Sequence, residues 1–563
     1  MYQLLPNCQI IDAIYIPPNV RSSDSDALFA VVKDVTTNET KLQLIPNPQT
    51  EYWLHRNTYR DYQYKREAAP LSELDHYTCP VKDLYQSIAH SLGRYRLPPR
   101  PKQILESPYL YGADLDPATK LKYEYHQHEK RGIGHYRIGM LDLETSVLGD
   151  EQIQIASVAD SDARKVYCFI LQPWAQCELT DIEQRTVQEY VAFADGLNPL
   201  ALKLWQEKPY TAEYQLCADE KELLVRLFLK LHELKFDFLG IWNLGYDVPY
   251  LIKRLQFRGI DPVDAFAHPE VPRAYQYFNY HHDNRTNLAH FTDVWHRLEV
   301  TDYTRWYDAM CLYSRLRKVQ GKETYYTLDY IGNKIIGAGK MHFGANASHY
   351  MMQTNDRVGY IVYNTIDVII PSLMEIINND IGSLVELAGD TTISNYAKQT
   401  VIVRDQWFAY CLGTGYVPGT YCSGSMGLPT DYAIGNIGGA VLDPNLLLSR
   451  GLPLLTDGPT TKLYKLCCDL DVTSFYPSLT HACNISRRTK RFTVLHFDGC
   501  PYTLEQLQEQ TNDDAVKQNS ETIDLCFGRL SALEENAVTM GHDYFNLPNF
   551  TEMYQLWCKE EQV

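Results

Sequence analysis

No apolar run in this sequence approaches the length needed to cross a membrane. No basic segment followed by an apolar one opens the chain, so no secretory signal is predicted. The 14 cysteines include no Cys-x-x-Cys pair and no Cys/His spacing suited to zinc. Two of them, Cys467 and Cys468, are adjacent on a strand-like run. All 14 are therefore predicted to be free, mostly buried thiols in a reducing compartment. An intracellular protein with no membrane partner is expected. Internal repeats and low-complexity tracts are missing too, which sets aside repeat arrays and long disordered stretches. Basic residues are in deficit: 52 Lys and Arg stand against 70 Asp and Glu, for a net charge of −18. That balance argues against a simple electrostatic nucleic-acid binder. It leaves local distribution open, and a metal site has to concentrate carboxylates.

What remains is an ordinary globular composition, 45% hydrophobic and 22% charged, with an unusual 42 tyrosines. The 563 residues suffice for roughly three to four domains. Residues 1 to 135 read as β-rich, with strand-like runs at Ile10–Ile16, Leu28–Val32 and Lys41–Ile45 split by Asn, Asp and Pro. From 136 the pattern turns to α/β. A strand over 137–144 is followed by a predicted hairpin, Ile153–Val158 with Val166–Leu171. Leucines and Phe228 at helical spacing predict a core-facing helix over 222–234. Phe236–Trp242 reads as a buried strand, and a long helix is expected near 357–379.

Three places on this frame carry chemistry. In Met140-Leu-Asp-Leu-Glu-Thr-Ser146, Asp142 and Glu144 alternate on an apolar strand, so both point to one face. Two oxygen ligands side by side suit a hard cation such as Mg²⁺. The bland alternative is a solvated strand end. In Asn243-Leu-Gly-Tyr-Asp247-Val-Pro249, Asp247 suits the start of a helix, and Pro249 is expected in its first turn. The bland alternative there is an ordinary N-cap. On the helix near 357–379, Tyr363 and Asp367 are four residues apart and share a face.

Taken together and in this order, these three signals resemble the motifs of proofreading 3′→5′ exonucleases with four acids and a tyrosine. The resemblance implies hydrolysis of a phosphodiester by two Mg²⁺ ions, with Mn²⁺ as a substitute. One ion would generate hydroxide, and the other would stabilise the leaving 3′ oxygen. It implies Asp142, Glu144 and Asp367 as direct ligands. Asp247 would act largely through water, Tyr363 would orient the attacking water, and Asn243 would bind substrate.

The most specific stretch lies further on. Asp469-Leu-Asp-Val-Thr-Ser-Phe-Tyr-Pro-Ser-Leu479 closely resembles motif A of family B DNA polymerases. By that resemblance Asp471 is the catalytic metal-binding carboxylate. Tyr476 is the steric gate against a ribose 2′-OH, and Ser474 and Phe475 lie where the triphosphate is held. Gly438 and Gly439 resemble the family's glycine pair that touches template. The implied fold class is α/β: a β-rich N-terminal domain (1–135, completed by about 385–430), an RNase H-like exonuclease domain with a central mixed sheet (136–384), and the first part of an α+β polymerase palm (431–563). Tailed-phage replicative enzymes are the closest in character. That points to the host-cell cytoplasm or a viral replication compartment.

The family's later motifs are missing. There is no Lys-x-x-x-Asn-Ser-x-Tyr-Gly fingers motif, no Asp-Thr-Asp and no thumb. One carboxylate cannot hold two metals for nucleotidyl transfer, so this chain alone is expected not to polymerise DNA. The expected explanation is a split enzyme whose second chain carries fingers, the rest of the palm and thumb. The start at Met1 and a tail without an obvious tag favour that reading over a truncation. Primer–template and single-stranded DNA, dNTPs once the site is completed, and a sliding clamp are the other expected partners. The alternatives are a stand-alone exonuclease with a vestigial palm, or a non-catalytic assembly subunit. Basic clusters at Arg315, Arg317, Lys318 and Lys322, and at Arg487, Arg488, Lys490 and Arg491, suit phosphate contact or a solvated face equally.

Overall fold

The computed structural model describes residues 2–420, apart from short stretches at 19–24, 61–65, 67, 95, 284–289, 319–320 and 344–347. Asp471, Ser474, Phe475, Tyr476, Gly438, Gly439 and the expected palm lie outside the described residues. So do Arg487, Arg488, Lys490 and Arg491.

The described chain is a mixed α/β protein with several sheets. Three strands, β1 (Cys8–Ile16), β2 (Ala27–Asp34) and β3 (Thr40–Pro46), form an antiparallel sheet, in agreement with the three apolar runs in the sequence. Helix α1 (Pro117–His128) packs on β1 and is capped by Asp116, which accepts from the Ala118 and Thr119 amides. Pro117 sits at the first position of that helix, where its missing N–H costs nothing.

The largest sheet among the described residues has six strands. Its strands are β4 (Ile138–Thr145), β5 (Ile153–Asp160), β6 (Lys165–Leu171), β7 (Thr211–Cys217), β8 (Phe238–Ile241) and β9 (Arg305–Asp308). Their order across the sheet is β7-β6-β5-β4-β8-β9. β4, β5 and β6 are antiparallel neighbours, so the predicted hairpin is present. β8 is parallel to β4 and to β9, and β7 is parallel to β6. β5 is buried at every position, as expected of a strand covered on both faces.

Two helices supply much of that cover. α2 (Glu220–Leu234) buries Leu223, Leu224, Leu227, Phe228, Leu231 and Leu234, the stripe read from the sequence. It packs on β5, β6 and β7. After β8, α3 (Leu244–Phe257) runs back along β8 and β9. β9 leads into α4 (Ala309–Leu316). Later in the chain, α5 (Arg357–Asn378) crosses β4 and β5. This corrects the reading that no apolar run approaches membrane-crossing length: α5 is the one described helix long and apolar enough to cross a membrane by length and composition, and 89% of its apolar window is buried inside the fold. Cys8, Cys79, Cys168, Cys177, Cys217 and Cys311 are free thiols, all but Cys177 buried.

One expectation needs correction. Pro249 does not lie in the first turn of α3 but inside the helix. The helix starts earlier than the proline suggested, at Leu244, because Asp308 accepts from the Leu244 amide at 3.0 Å. Asp308 lies at the end of β9 and also caps α4 through the Cys311 amide at 2.7 Å. One buried carboxylate thus starts two helices, and Asp247 is not an N-cap.

Past α5, residues 391–420 return to the N-terminal region. Asp12 on β1 accepts from the Ile393 amide at 3.0 Å, and Lys122 on α1 donates to the Thr391 carbonyl at 2.8 Å. Tyr416–Pro418 pairs with Ala68–Pro70, and the Ala113 amide donates to Thr420 Oγ1 at 3.0 Å.

Candidate metal centre

β4 is apolar through Leu141, and its last turn of pleat presents Asp142 and Glu144 on one face. The helix that meets this face is α5. Tyr360, Tyr363, Asn364 and Asp367 stand on it at i, i+3, i+4 and i+7, so they form one stripe. Each reaches a different part of the same cluster. Tyr360 donates its hydroxyl to Glu144 Oε2 across 216 residues of sequence. Asn364 donates from Nδ2 to Asp142 Oδ2 at 2.6 Å. Asp367 completes the group: one carboxylate oxygen from each of Asp142, Glu144 and Asp367 lies within 4.8 Å of the others.

The electrostatics follow from that crowding. Burial and the neighbouring Asp367 push Asp142 up to about 7. Burial, then Asp142 and Asp367, push Glu144 well above the usual carboxylate range. Asp367 is raised by burial, against the pull of Lys340. Asp247, buried on the first turn of α3, is also raised well above its ordinary value, by burial and by the charges of Asp142 and Asp308. Asp247 thus feels the charge of Asp142, but falls outside the group that shares the 4.8 Å spacing. Buried carboxylates that raise one another in this way are short of positive charge.

Lys340 supplies some of it. This residue was not singled out from the sequence. Its Nζ donates to Asp367 Oδ2 at 2.5 Å and to the Tyr363 hydroxyl at 2.9 Å. Burial alone would lower the Lys340 ammonium, but Asp367, Tyr363 and Asp142 outweigh it and hold it above its usual range. Tyr363 is itself pushed up by burial and by Asp367, so its phenol keeps its proton. The other oxygen of Asp367, Oδ1, is buried without a partner, and so is Oδ1 of Asn364. A buried, unpaired carboxylate oxygen is expensive, and a cation would repay that cost. The donor set is all oxygen, which fits Mg²⁺ or Mn²⁺ and does not suit a soft metal.

The remaining predicted site residue within the described chain is Asn243. It occupies the N-cap position of α3 but makes no capping bond, since Asp308 does that work. Its side chain is exposed beside the cluster-facing helix turn. Gly245, two residues on, is needed for packing: a Cβ there would lie 2.5 Å from the His296 ring.

No family model matches the chain, and no curated protein matches it. The functional reading therefore rests on this geometry and on the sequence motifs.

Tyr360, Asn364, Lys340 and Asp308 were all missed by sequence reasoning. Tyr360 and Asn364 could have been found, because helical spacing from Asp367 and Tyr363 places them on the same stripe. Lys340 could not. It lies in the loop after a short helix, Leu328–Ile336, and no local spacing ties it to α5.

Proposed function

We propose that this chain carries a 3′→5′ proofreading exodeoxyribonuclease attached to the first part of a family B DNA polymerase. One observation carries the nuclease reading. Three carboxylates from a strand and a distant helix meet with their oxygens within 4.8 Å, and an oxygen of Asp367 is left buried and unpaired. Tyr363 stands on the same helix face, and Asp247 bears on the cluster by its charge. The sheet order supports an RNase H-like exonuclease: three antiparallel strands, β6-β5-β4, continue into parallel β8 and β9.

In this reading Asp142, Glu144 and Asp367 hold two Mg²⁺ ions, Mn²⁺ can replace them, and Asp247 contributes through water. The bound ions would supply the Lewis acidity that phosphodiester hydrolysis requires. The protein's own groups set the stage. Asn364 and Tyr360 hold Asp142 and Glu144, and Lys340 ties Tyr363 to Asp367. The protonated Tyr363 phenol is available to orient a water or a phosphate oxygen. Asn243, exposed and spared from capping, is free to bind the terminal nucleotide of a DNA strand.

The polymerase half of the proposal rests on the sequence run Asp469–Leu479, with Asp471, Ser474, Phe475 and Tyr476 in their motif positions and Gly438-Gly439 ahead of them. A second chain would supply fingers, the second palm carboxylate and thumb. Primer–template DNA and dNTPs would be the substrates of the completed enzyme. A gel of 5′-labelled primer–template with the purified chain, Mg²⁺ and dNTPs tests both halves. Shortening without extension is expected. Extension by this chain alone would overturn the split, and an intact primer would overturn the nuclease.

A further inference from the structure

The acids of the cluster repel one another, so something must stop Glu144 from swinging away. Its side chain has three rotatable bonds and ends at the last residues of β4. The structure surrounds that strand end with a brace that is not part of the ligand set. Tyr360 is fully buried and gives its hydroxyl proton to Glu144 Oε2. The Tyr360 oxygen in turn faces two groups on the short helix His349–Asn355: His349 Nδ1 at 3.0 Å and Gln353 Nε2 at 3.4 Å. Because the Tyr360 proton is spent on Glu144, both of these act as donors.

Gln353 does more. It is completely buried, and its amide reaches the strand on both sides of Ser146. Nε2 donates to the Thr145 carbonyl at 2.8 Å, and Oε1 accepts from the Val147 amide at 3.0 Å. Its own carbonyl accepts from Trp174 Nε1 at 3.2 Å. The Tyr360 ring is held edge-on by Trp174 and by His349, and stacks on Tyr363 with centroids 5.7 Å apart. Both polar side-chain atoms of Gln353 are thus engaged, and three of its contacts converge on the backbone or side chain next to Glu144.

We infer that Tyr360, fixed by Gln353 and His349, is a positioning residue that sets Glu144 for a divalent cation. The inference rests on the nuclease reading, because it concerns the cation-binding geometry of that site. Groups that hydrogen-bond a metal ligand from behind usually change affinity or turnover by about 10- to 100-fold when removed.

The test uses the full chain and Tyr360→Phe, which deletes one oxygen and keeps the ring. Mn²⁺ binding is followed by electron paramagnetic resonance in the absence of DNA. Cleavage of a 5′-labelled single strand gives kcat and KM separately, and a thermal melt checks the fold. Tyr360→Phe is expected to bind Mn²⁺ about tenfold more weakly, to lose about 10- to 100-fold in kcat, and to keep KM within about twofold. A merely structural role would lower the melting temperature without splitting kcat from KM or weakening Mn²⁺. Gln353→Met, which keeps length and removes both polar atoms, is expected to act in the same direction with a smaller loss, and it stands in if Tyr360→Phe fails to fold. Wild-type Mn²⁺ affinity and kcat in a folded variant would overturn the brace. Wild-type protein that binds no Mn²⁺ would overturn the site reading itself, a distinct result.

Discussion

Two sets of buried acids in this protein are treated in opposite ways. Glu220 and Asp237 are deeply buried, and every charge on them is answered. Glu220 accepts from Arg254 through both oxygens, at 2.8 and 2.6 Å, from Arg258 at 2.6 Å and from the Ile153 amide at 2.8 Å. Burial works against its charge, but these bonds outweigh burial and hold it below the usual carboxylate range. Asp237, at the start of β8, pairs with the buried Lys33 of β2 and also accepts from Thr40 Oγ1 at 2.8 Å. Asp142, Glu144 and Asp367 crowd together instead, Asp247 feels the charge of Asp142, and all four are pushed up. The first set is a fastening. It ties α2 to α3, and the N-terminal sheet to the central one. The second set is a cost borne by the fold, and such costs persist at sites that bind or react.

Substitutions should separate the two. Replacing both Asp142 and Glu144 by Ala removes two ligands and a source of repulsion. Nuclease activity should drop to background while the melting temperature rises by a few degrees. Activity left intact would remove the site from the mechanism, and a large fall in melting temperature would mean that the acids are structural after all. Glu220→Ala should do the reverse. It leaves Arg254 buried without its partner, which costs about 3–5 kcal/mol. A chemical denaturation curve should show that loss. Cleavage measured where the variant is still folded should fall much less than in the double mutant.

Glu375 sharpens the comparison through pH. It lies near the end of α5, buried, and accepts from the Ile381 amide at 2.9 Å. Burial pushes its carboxyl from 4.5 up to about 7. A carboxyl raised on folding adds stability that is full below its unfolded value and is lost as pH rises through the folded one. The wild type should therefore weaken between about pH 4.5 and 7 in a way that Glu375→Gln does not. The amide keeps an oxygen for Ile381. The variant should melt close to the wild type at pH 4.5 and above it by pH 8, by up to about 3 kcal/mol. A constant difference across that range would exclude the titration.

Much of this was legible in the sequence where chemistry and periodicity coincide. The alternation of Asp142 and Glu144 on an apolar strand, the core stripe of α2 and the Tyr363–Asp367 spacing each survive as local patterns. The start of α3 was misread because its cap comes from Asp308, a residue distant in sequence. Helix rules look for the capping side chain at the N-cap itself, and Asn243 offers one that goes unused. The brace behind Glu144 was invisible for a similar reason. Gln353 acts on the backbone of Thr145 and Val147, and a backbone partner leaves no trace in residue types.

Lys340 gives the smallest and most discriminating effect. Among the described residues it is the one cation placed on the cluster acids, 2.5 Å from Asp367, with 31% of its side chain exposed. A lysine there does two things that oppose each other. It offsets the repulsion among the acids and holds Tyr363, which favours a formed site. It also puts a positive charge beside an opening where a divalent cation would enter, which disfavours binding. Lys340→Met removes both actions. Mn²⁺ should then bind more tightly, by about threefold to tenfold, because the competing ammonium is gone. Cleavage should nonetheless slow by about tenfold, because the Tyr363 hydroxyl loses the bond that aims it. Tyr360→Phe is expected to weaken both, so the two variants move affinity in opposite directions while both slow the reaction. If Lys340→Met weakens Mn²⁺ binding instead, the lysine belongs with Tyr360 in the brace, and the contrast between answered and unanswered acids stops short of Asp367.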